Sequence, residues 1–245
     1  MIKINEIKLL EAINNNDLKA IKAMVETEIY NTTLTTTDKK RINAFRKFSK
    51  SRSKEVRVSL KGAYIDNDNM LTVCDGYKVA RLFANDVKDC LMVDSDLIKD
   101  NTSKMVNDTK NLCQLQIQLD IKDIMLQYKK HKATKEKTAN NHNYGVYVIE
   151  YEGFLKETCY MAFNIEYLKE VHDIFDFTSE IEFYIQDKSH EKNFNKYVTQ
   201  DDSKDIETLR INNNPLYIES DNGNGIILPI MVRLNPKLII KNNKE

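Results

Sequence analysis

The first 30 residues carry apolar side chains at spacings of three and four, which is the period of an amphipathic helix. Asn14, Asn15 and Asn16 interrupt this pattern, so two helices are predicted, with Asp17 as the N-cap of the second. A polar link follows over residues 32–37. The chain is therefore predicted to begin with a helical extension.

The pattern then changes from helical to alternating. A third helix is predicted from Asp38, its candidate N-cap, and its apolar side is formed by Ile42, Phe45 and Phe48. Three strands are predicted over residues 55–83, with turns at residues 66–69 and at Asp75-Gly76. A further strand that runs into a short helix is predicted over residues 89–106.

A similar order of elements recurs in the second half of the chain. The predicted elements are a strand over 112–120, a helix over 121–137, two strands around Glu152-Gly153, a helix over 165–175, a strand over 179–186 and a hairpin around residues 222–225. The polar stretch 187–214 is predicted to be an exposed loop insertion. Two copies of one α+β unit are therefore predicted, with helices on one face of mainly antiparallel sheets. The first copy, with the helical extension, covers residues 1–112, and the second covers residues 113–245 with a C-terminal extension.

Length and composition restrict the class of protein. The chain has 245 residues, 41% of them apolar, which is enough to bury a real core in one large domain or two smaller ones. The four cysteines, Cys74, Cys90, Cys113 and Cys159, form no CxxC pair, so a metal site is disfavoured and a reducing compartment is favoured. With no signal-peptide pattern and no long apolar run, we expect a soluble cytoplasmic protein that does not associate with membranes.

Charge is segregated along the chain, although the 37 basic residues balance the 37 acidic ones. Residues 38–61 hold ten basic residues against two acidic ones, and a second basic run lies at the end of the predicted helix in the second copy. These runs are either solvated helix faces or surfaces that contact the phosphates of duplex DNA without reading bases. The candidate DNA-binding residues are Lys39, Lys40, Arg41, Arg46, Lys47, Lys50, Arg52, Lys129, Lys130 and Lys132.

Signals of catalysis are weak. The four histidines are isolated from one another, and His172 lies on a predicted helix, where partial burial explains it better than catalysis. No phosphate-binding loop, nucleophile elbow or zinc-protease motif occurs. A non-enzymatic protein with no catalytic residue, no metal and no cofactor is predicted; a hydrolase or nuclease is the least favoured class.

Three segments together resemble the bacterial sliding clamp, the beta subunit of DNA polymerase III. "LTVCDGYKVARL" is similar to the family's "ATDGHRLA" segment in the middle domain, and "MAFNIEYLKEVHDIF" is similar to its "FNxxYLxxxL" segment in the last domain. "NPLYIESDNGNGIILPIMVRL" resembles the family's C-terminal hairpin. The resemblance covers about residues 38–106 and 115–234, and the first 30 residues have no counterpart in it.

The resemblance implies a fold of two stacked clamp-like units and a function in DNA replication. Family members are closed rings of six such domains, with helices that line the hole and sheets outside. A two-unit chain would form such a ring as a homotrimer. The implied function is that of a processivity factor, which encircles or contacts duplex DNA nonspecifically and docks peptides of a DNA polymerase or another client. A clamp loader is a candidate partner. The alternative is a clamp-derived module that binds partner peptides without encircling DNA.

The resemblance also implies a peptide-binding groove between the middle and last domains. In this chain Tyr77 replaces a histidine of the family and Cys74 replaces a threonine. The implied groove residues are Cys74, Gly76, Tyr77, Lys78, Val79, Ile226, Leu228, Pro229 and Met231. An apolar slot with a few polar groups is what a short linear peptide needs.

Overall fold

The computed structural model describes residues 5–50, 62–84, 91–93, 100–134, 145–175, 180–188, 196–199 and 207–230. This part of the chain is a mixed α+β structure with mostly antiparallel sheets. Its helices are α1 (Glu6–Asn14), α2 (Leu18–Thr32), α3 (Thr36–Lys50), α4 (Asp100–Leu112), α5 (Ile121–Thr134) and α6 (Ile165–Ile174). Its strands are β1 (Ala63–Ile65), β2 (Met70–Cys74), β3 (Lys78–Phe83), β4 (Leu115–Ile117), β5 (Val146–Glu152), β6 (Thr158–Asn164), β7 (Ile181–Ile185), β8 (Lys196–Thr199), β9 (Glu207–Ile211), β10 (Leu216–Ser220) and β11 (Gly223–Ile227).

The larger sheet has seven strands in the order β1-β2-β3-β11-β10-β7-β4, and every neighbouring pair is antiparallel. Strands β1 to β3 belong to the first predicted unit, and the other four belong to the second. The two units are joined in this sheet by the pairing of β3 with β11, which sets Val79 opposite Ile226. The proposed boundary near residue 112 therefore separates strands that share one sheet.

The smaller sheet has the order β5-β6-β9-β8, and β6 pairs with β9 in parallel. Strands β8 and β9 both fall inside residues 187–214, so the prediction of a loop insertion there was wrong for these two segments. Ile211 at the end of β9 is buried against Ala162 of β6. Charged residues flank these short strands in the sequence and obscure their alternating pattern.

Three helices cover one face of the seven-stranded sheet. The alternation of β2 and β3 directs Leu71, Val73, Ala80 and Leu82 toward these helices. Helix α3 packs on β1 and β2, α6 packs on β3 and β11, and α5 packs against the other side of α6. The helices therefore lie in the order α3, α6, α5, and we call them the helix layer. The inner faces of β5 and β6 close the same hydrophobic core.

Helix α4 lies on the opposite face of the seven-stranded sheet, so the prediction of helices on one face was wrong for this helix. Val106 of α4 packs in a second buried cluster with Cys74, Val79 and Ile226. The Tyr64 hydroxyl donates to Thr102 Oγ1 at 2.7 Å, and burial raises the pKa of Tyr64 to about 12. Periodicity predicts an apolar face for each strand, but here both faces of β2 and β3 are buried.

Capping hydrogen bonds determine where α2 and α3 begin. Asp17 caps α2 as predicted, because its carboxylate accepts the Ala20 N–H at 3.0 Å. Asp38 is not the N-cap of α3: Thr35 Oγ1 accepts the Asp38 N–H at 3.1 Å, and the Asp38 carboxylate accepts the Thr35 N–H at 3.1 Å. This reciprocal pair is a capping box that starts the helix three residues earlier than predicted.

Two other boundaries differ from the prediction. Leu91 and Met92 form a turn rather than a strand, and their buried side chains join the main core. The hairpin of β10 and β11 turns at Asp221-Asn222, and Gly223 and Gly225 lie in β11. A Cβ atom at Gly223 would lie 1.9 Å from the carbonyl oxygen of Arg81, so this glycine permits the close approach of β11 to β3.

Candidate nucleic-acid interface and peptide groove

The helix layer carries its charges unevenly. Helix α3 holds six basic residues and one acidic residue, and α5 holds four basic residues and one acidic residue. The central helix α6 holds three acidic residues and one basic residue. The two basic runs found in the sequence therefore lie on the outer helices of one layer, with an acidic helix between them. At roughly 8–10 Å per helix–helix contact, the axes of α3 and α5 are at most roughly 16–20 Å apart where the helices pack.

The basic residues of α3 differ in their exposure. Lys40 and Lys47 are exposed, and Lys39 is half-buried with its Nζ 5.5 Å from the centre of the Tyr30 ring. Arg46 is also half-buried, and its Nη2 donates to the Leu91 carbonyl at 2.8 Å. Arg46 therefore fastens α3 to the turn at residues 91–92.

The first basic run holds three further candidates, Arg41, Lys50 and Arg52. Arg41 is half-buried. The side chain of Lys50 and the whole of Arg52 lie outside the described residues. Of the predicted DNA-binding residues on α3, Lys40 and Lys47 are thus the ones that the structure places at the surface.

The three candidate lysines on α5 are all exposed: Lys129, Lys130 and Lys132. The Nζ of Lys132 lies 5.5 Å from the centre of the Tyr128 ring. A hydrogen bond with Tyr128 raises the pKa of Lys132, and the charge of Glu166 acts in the same direction. Lys132 is therefore protonated at neutral pH.

The acidic residues of α6 lie between these rows, and two of them pair with lysines. Lys169 pairs with Asp173 one turn along the helix. Glu170 lies 3.9 Å from Lys47 Nζ on α3 and 3.1 Å from Lys78 Nζ on β3. The carboxylates of α6 thus lower the formal charge of the layer, which stays positive because basic residues outnumber acidic ones on α3 and α5.

Lys78 is buried beneath the helix layer, which corrects its predicted place in a peptide groove. Its Nζ contacts the Asp75 carboxylate and Glu170, and it lies 3.7 Å from the centre of the Phe48 ring. The Asp75 carboxylate also accepts the Tyr77 and Lys78 backbone N–H groups at 3.0 and 3.1 Å. The tight turn at Asp75-Gly76 sets Lys78 in register with Ala80 and Leu82, which face the same helices.

Three other predicted groove residues, Cys74, Val79 and Ile226, are also buried, so they do not line an open slot. They lie on the opposite face of the sheet and pack with Val106 of α4. The reason is that β3 and β11 are hydrogen-bonded neighbours in one sheet rather than the two walls of a cleft.

The structure does bring the two predicted groove segments together. The Leu228 N–H donates to the Tyr77 carbonyl at 2.8 Å. Gly76, Tyr77 and Leu228 are exposed, Pro229 is half-buried, and Met231 lies outside the described residues. The Tyr77 ring stacks on Tyr167 of α6 with 6.1 Å between ring centres. The surface that remains is a small apolar patch of Tyr77 and Leu228.

Sequence reasoning missed the acidic stripe of α6, although the signal was present. Glu166, Glu170 and Asp173 recur at spacings of four and three and so share one side of the helix. It also missed the buried guanidinium of Arg81, whose Nε lies 2.7 Å from Asp66 Oδ2. The hydrogen bond from Arg81 lowers the pKa of Asp68. This network ties the turn before β2 to β3.

The described residues bear on two other features, a metal centre and a membrane-spanning helix. In that part of the chain, no group of three or more histidine, cysteine, aspartate or glutamate residues could hold a metal ion. None of the helices there is long and apolar enough to cross a membrane. Comparisons with protein-family models and with curated proteins find no match to this chain.

We predict that His172 makes stability depend on pH. It lines a small cavity between α5 and α6, and burial lowers its pKa. Below about pH 6.5 the His172 side chain therefore binds a proton more readily in the unfolded chain than in the folded one. The contribution of neutral His172 to the free energy of unfolding is fully present above that pH and is lost below it. Urea unfolding should show a smaller loss on acidification for His172→Gln than for the wild type. An equal loss in both proteins would contradict this account.

Proposed function

We propose that this protein is a processivity factor of the sliding-clamp class, which holds duplex DNA through its helix layer and has no chemistry of its own. The observation that carries the proposal is the position of the exposed lysines. Lys40 and Lys47 on α3 and Lys129, Lys130 and Lys132 on α5 lie on the two outer helices of one layer. Duplex DNA carries about one negative charge per 1.7 Å of its axis, so both lysine rows would meet phosphates.

The character of these contacts suits sliding. Lysine ammonium groups on flexible stems bind phosphates as point charges and read no bases. The carboxylates of α6 oppose tight binding along the middle of the layer, since they repel phosphates. Weak contacts of this kind let a duplex move along the surface, whereas base-specific hydrogen bonds would hold it in one register.

The arrangement of the resembling segments supports the clamp class. The "LTVCDGYKVARL" segment forms β2 and β3, the "FNIEYL" segment starts α6, and the C-terminal segment forms β10 and β11. These segments are far apart in sequence, yet β3 pairs with β11 and α6 packs on both strands. The three segments therefore lie together in this structure, as we expect if all three belong to one clamp-like fold.

Ring closure and client binding are parts of the same proposal. Three copies of a two-unit chain would complete a six-domain ring, with a loader needed to open it. A polymerase or another client would bind by a short peptide at Tyr77 and Leu228, the exposed patch beside α6.

A second candidate is a clamp-derived module that binds partner peptides without encircling DNA. The acidic stripe of α6 favours it, because a helix with three carboxylates in the middle of the layer lowers the affinity for phosphates. Retention on circular DNA but not on linearised DNA distinguishes a ring from such a module.

The test is equilibrium binding of a fluorescent duplex at several salt concentrations. If the five exposed lysines each displace a counterion, the slope of log K against log salt is about −4 to −5. Affinity should then fall about 10²–10³-fold between about 50 and 200 mM salt. Two duplexes of unrelated sequence should bind equally. The absence of binding at the lowest salt, or binding that does not change with salt, would contradict the proposal.

A further inference from the structure

The hairpin of α1 and α2 exposes an unusual amount of apolar side chain. Ile7 is 70% exposed, Leu10 is 59% exposed and Ile13 is 48% exposed on α1, and Leu18 at the start of α2 is 76% exposed. Ala12 is the buried residue of α1, and no residue of α2 is buried. An exposed apolar patch of this kind more often marks a surface that binds another molecule than a surface that stays in contact with water.

The pattern on α1 shows that this helix has room for a second neighbour. The buried Ala12 and the half-buried Leu9 mark the side that packs against α2. At about 100° per residue, Ile13, Leu10 and Ile7 continue the apolar arc away from that side. The arc is wider than one helix–helix contact requires, as in a helix of a bundle with two neighbours.

The charges beside the patch are complementary between the two helices. Helix α1 carries Glu6 within the apolar arc, and Glu11 and Lys8 beside it. The first half of α2 carries Lys19 and Lys22 with no acidic residue, and Lys22 also lies 3.8 Å from Glu26 one turn along the same helix. In a two-fold dimer, each contact occurs twice, so α1 of one copy against α2 of the other would bring acidic and basic borders together at both ends. The opposite charges of α1 and α2 therefore favour packing of α1 in one copy against α2 in the other.

We infer that the α1–α2 hairpin is a self-association surface on which a second copy of this chain packs its own hairpin, forming a four-helix bundle. The inference does not rest on the proposed function, because the hairpin lies outside the helix layer and outside the segments that resemble sliding clamps. The hairpin is fastened to the rest of the protein at its other end. Ile29 and Tyr30 pack on the main core, and the Asn43 amide donates to the Tyr30 hydroxyl at 2.9 Å.

The test is sedimentation equilibrium of the full chain at several micromolar concentrations. A monomer has a mass of 28.6 kDa. The inference predicts reversible pairing: a dimer of twice that mass for a chain that forms no ring, and a pair of rings for a chain that forms the proposed trimer. Leu10→Gln should raise the dissociation constant at least about tenfold, because it places a polar amide in the apolar interface. Phe154→Gln is the matched control: Phe154 is 73% exposed but lies outside the hairpin, so this variant should associate like the wild type.

A charge exchange makes the test specific to the proposed packing. Glu11→Lys should weaken association, and the addition of Lys22→Glu to the same chain should restore it. The far-ultraviolet circular dichroism spectrum of each of these exposed-site variants should match that of the wild type, which shows that the variant is folded. A chain that is monomeric throughout, or an oligomer that Leu10→Gln leaves unchanged, would overturn the inference. A trimer that is insensitive to Leu10→Gln would overturn it while supporting a ring, which separates this result from a failure of the proposed function.

Discussion

Lys78→Met is expected to lower the free energy of unfolding by about 3–5 kcal/mol, the cost of breaking a buried ion pair from one side. Lys78 Nζ is buried between the Asp75 carboxylate and Glu170, with the Phe48 ring on another side. Methionine fills much of the same volume but removes the cation from Asp75, and it leaves Glu170 with only the exposed Lys47, 3.9 Å away. Urea unfolding followed by circular dichroism measures the change.

Lys110→Met is the matched control, since Lys110 pairs with Glu219 at 2.5 Å but the two side chains are 49% and 36% exposed. An exposed pair of this kind contributes about 0–1 kcal/mol. Adding Glu170→Gln to Lys78→Met should recover part of the lost stability, because it removes one of the two carboxylates that lost their contact with Lys78. A loss below about 1 kcal/mol for Lys78→Met would show that the buried pair does not hold β3 to the helix layer.

Removal of the lysines of α5 is expected to have the second large effect, on DNA affinity. In the triple variant Lys129→Gln, Lys130→Gln and Lys132→Gln, the salt slope should become shallower by about 3, and affinity at about 0.1 M salt should fall about 10²–10³-fold. The three side chains are exposed, so the free energy of unfolding should fall by no more than about 1 kcal/mol. Fluorescence anisotropy with a labelled duplex measures both quantities.

The control for this variant is an equal loss of charge on surfaces away from the helix layer. Lys104 and Lys110 lie on α4, on the opposite face of the seven-stranded sheet, and Lys156 lies in the turn between β5 and β6. Changing these three lysines to glutamine should leave the salt slope close to that of the wild type. Equal effects of the two triple variants would indicate attraction by net charge alone.

The sequence predicted most elements of the fold but not how their faces are used. Periodicity identified α6, and the turn at Asp75-Gly76 separated β2 from β3. It did not predict α4 on the opposite face, because alternation along β2 and β3 cannot say whether the second face is open or covered. It also did not find β8 and β9, which are too short to show a period among charged neighbours.

For the candidate site, the sequence predicted the two basic helices but not the acidic helix between them. Charge counting along the chain located the basic runs of α3 and α5, because each run is contiguous in sequence. The position of α6 between them depends on tertiary packing, so the acidic stripe was not anticipated. The groove prediction placed Lys78 at the surface, whereas the register of β3 turns it toward Glu170.

The most direct test of the helix layer as the DNA-facing surface is lysine acetylation footprinting, read by mass spectrometry with and without duplex DNA. Duplex DNA should protect Lys40 and Lys47 on α3, and Lys129, Lys130 and Lys132 on α5. The modification of Lys104 and Lys156 should not change. Protection confined to Lys104 and Lys156, or no protection on α3 and α5 under conditions where the duplex is bound, would contradict the account.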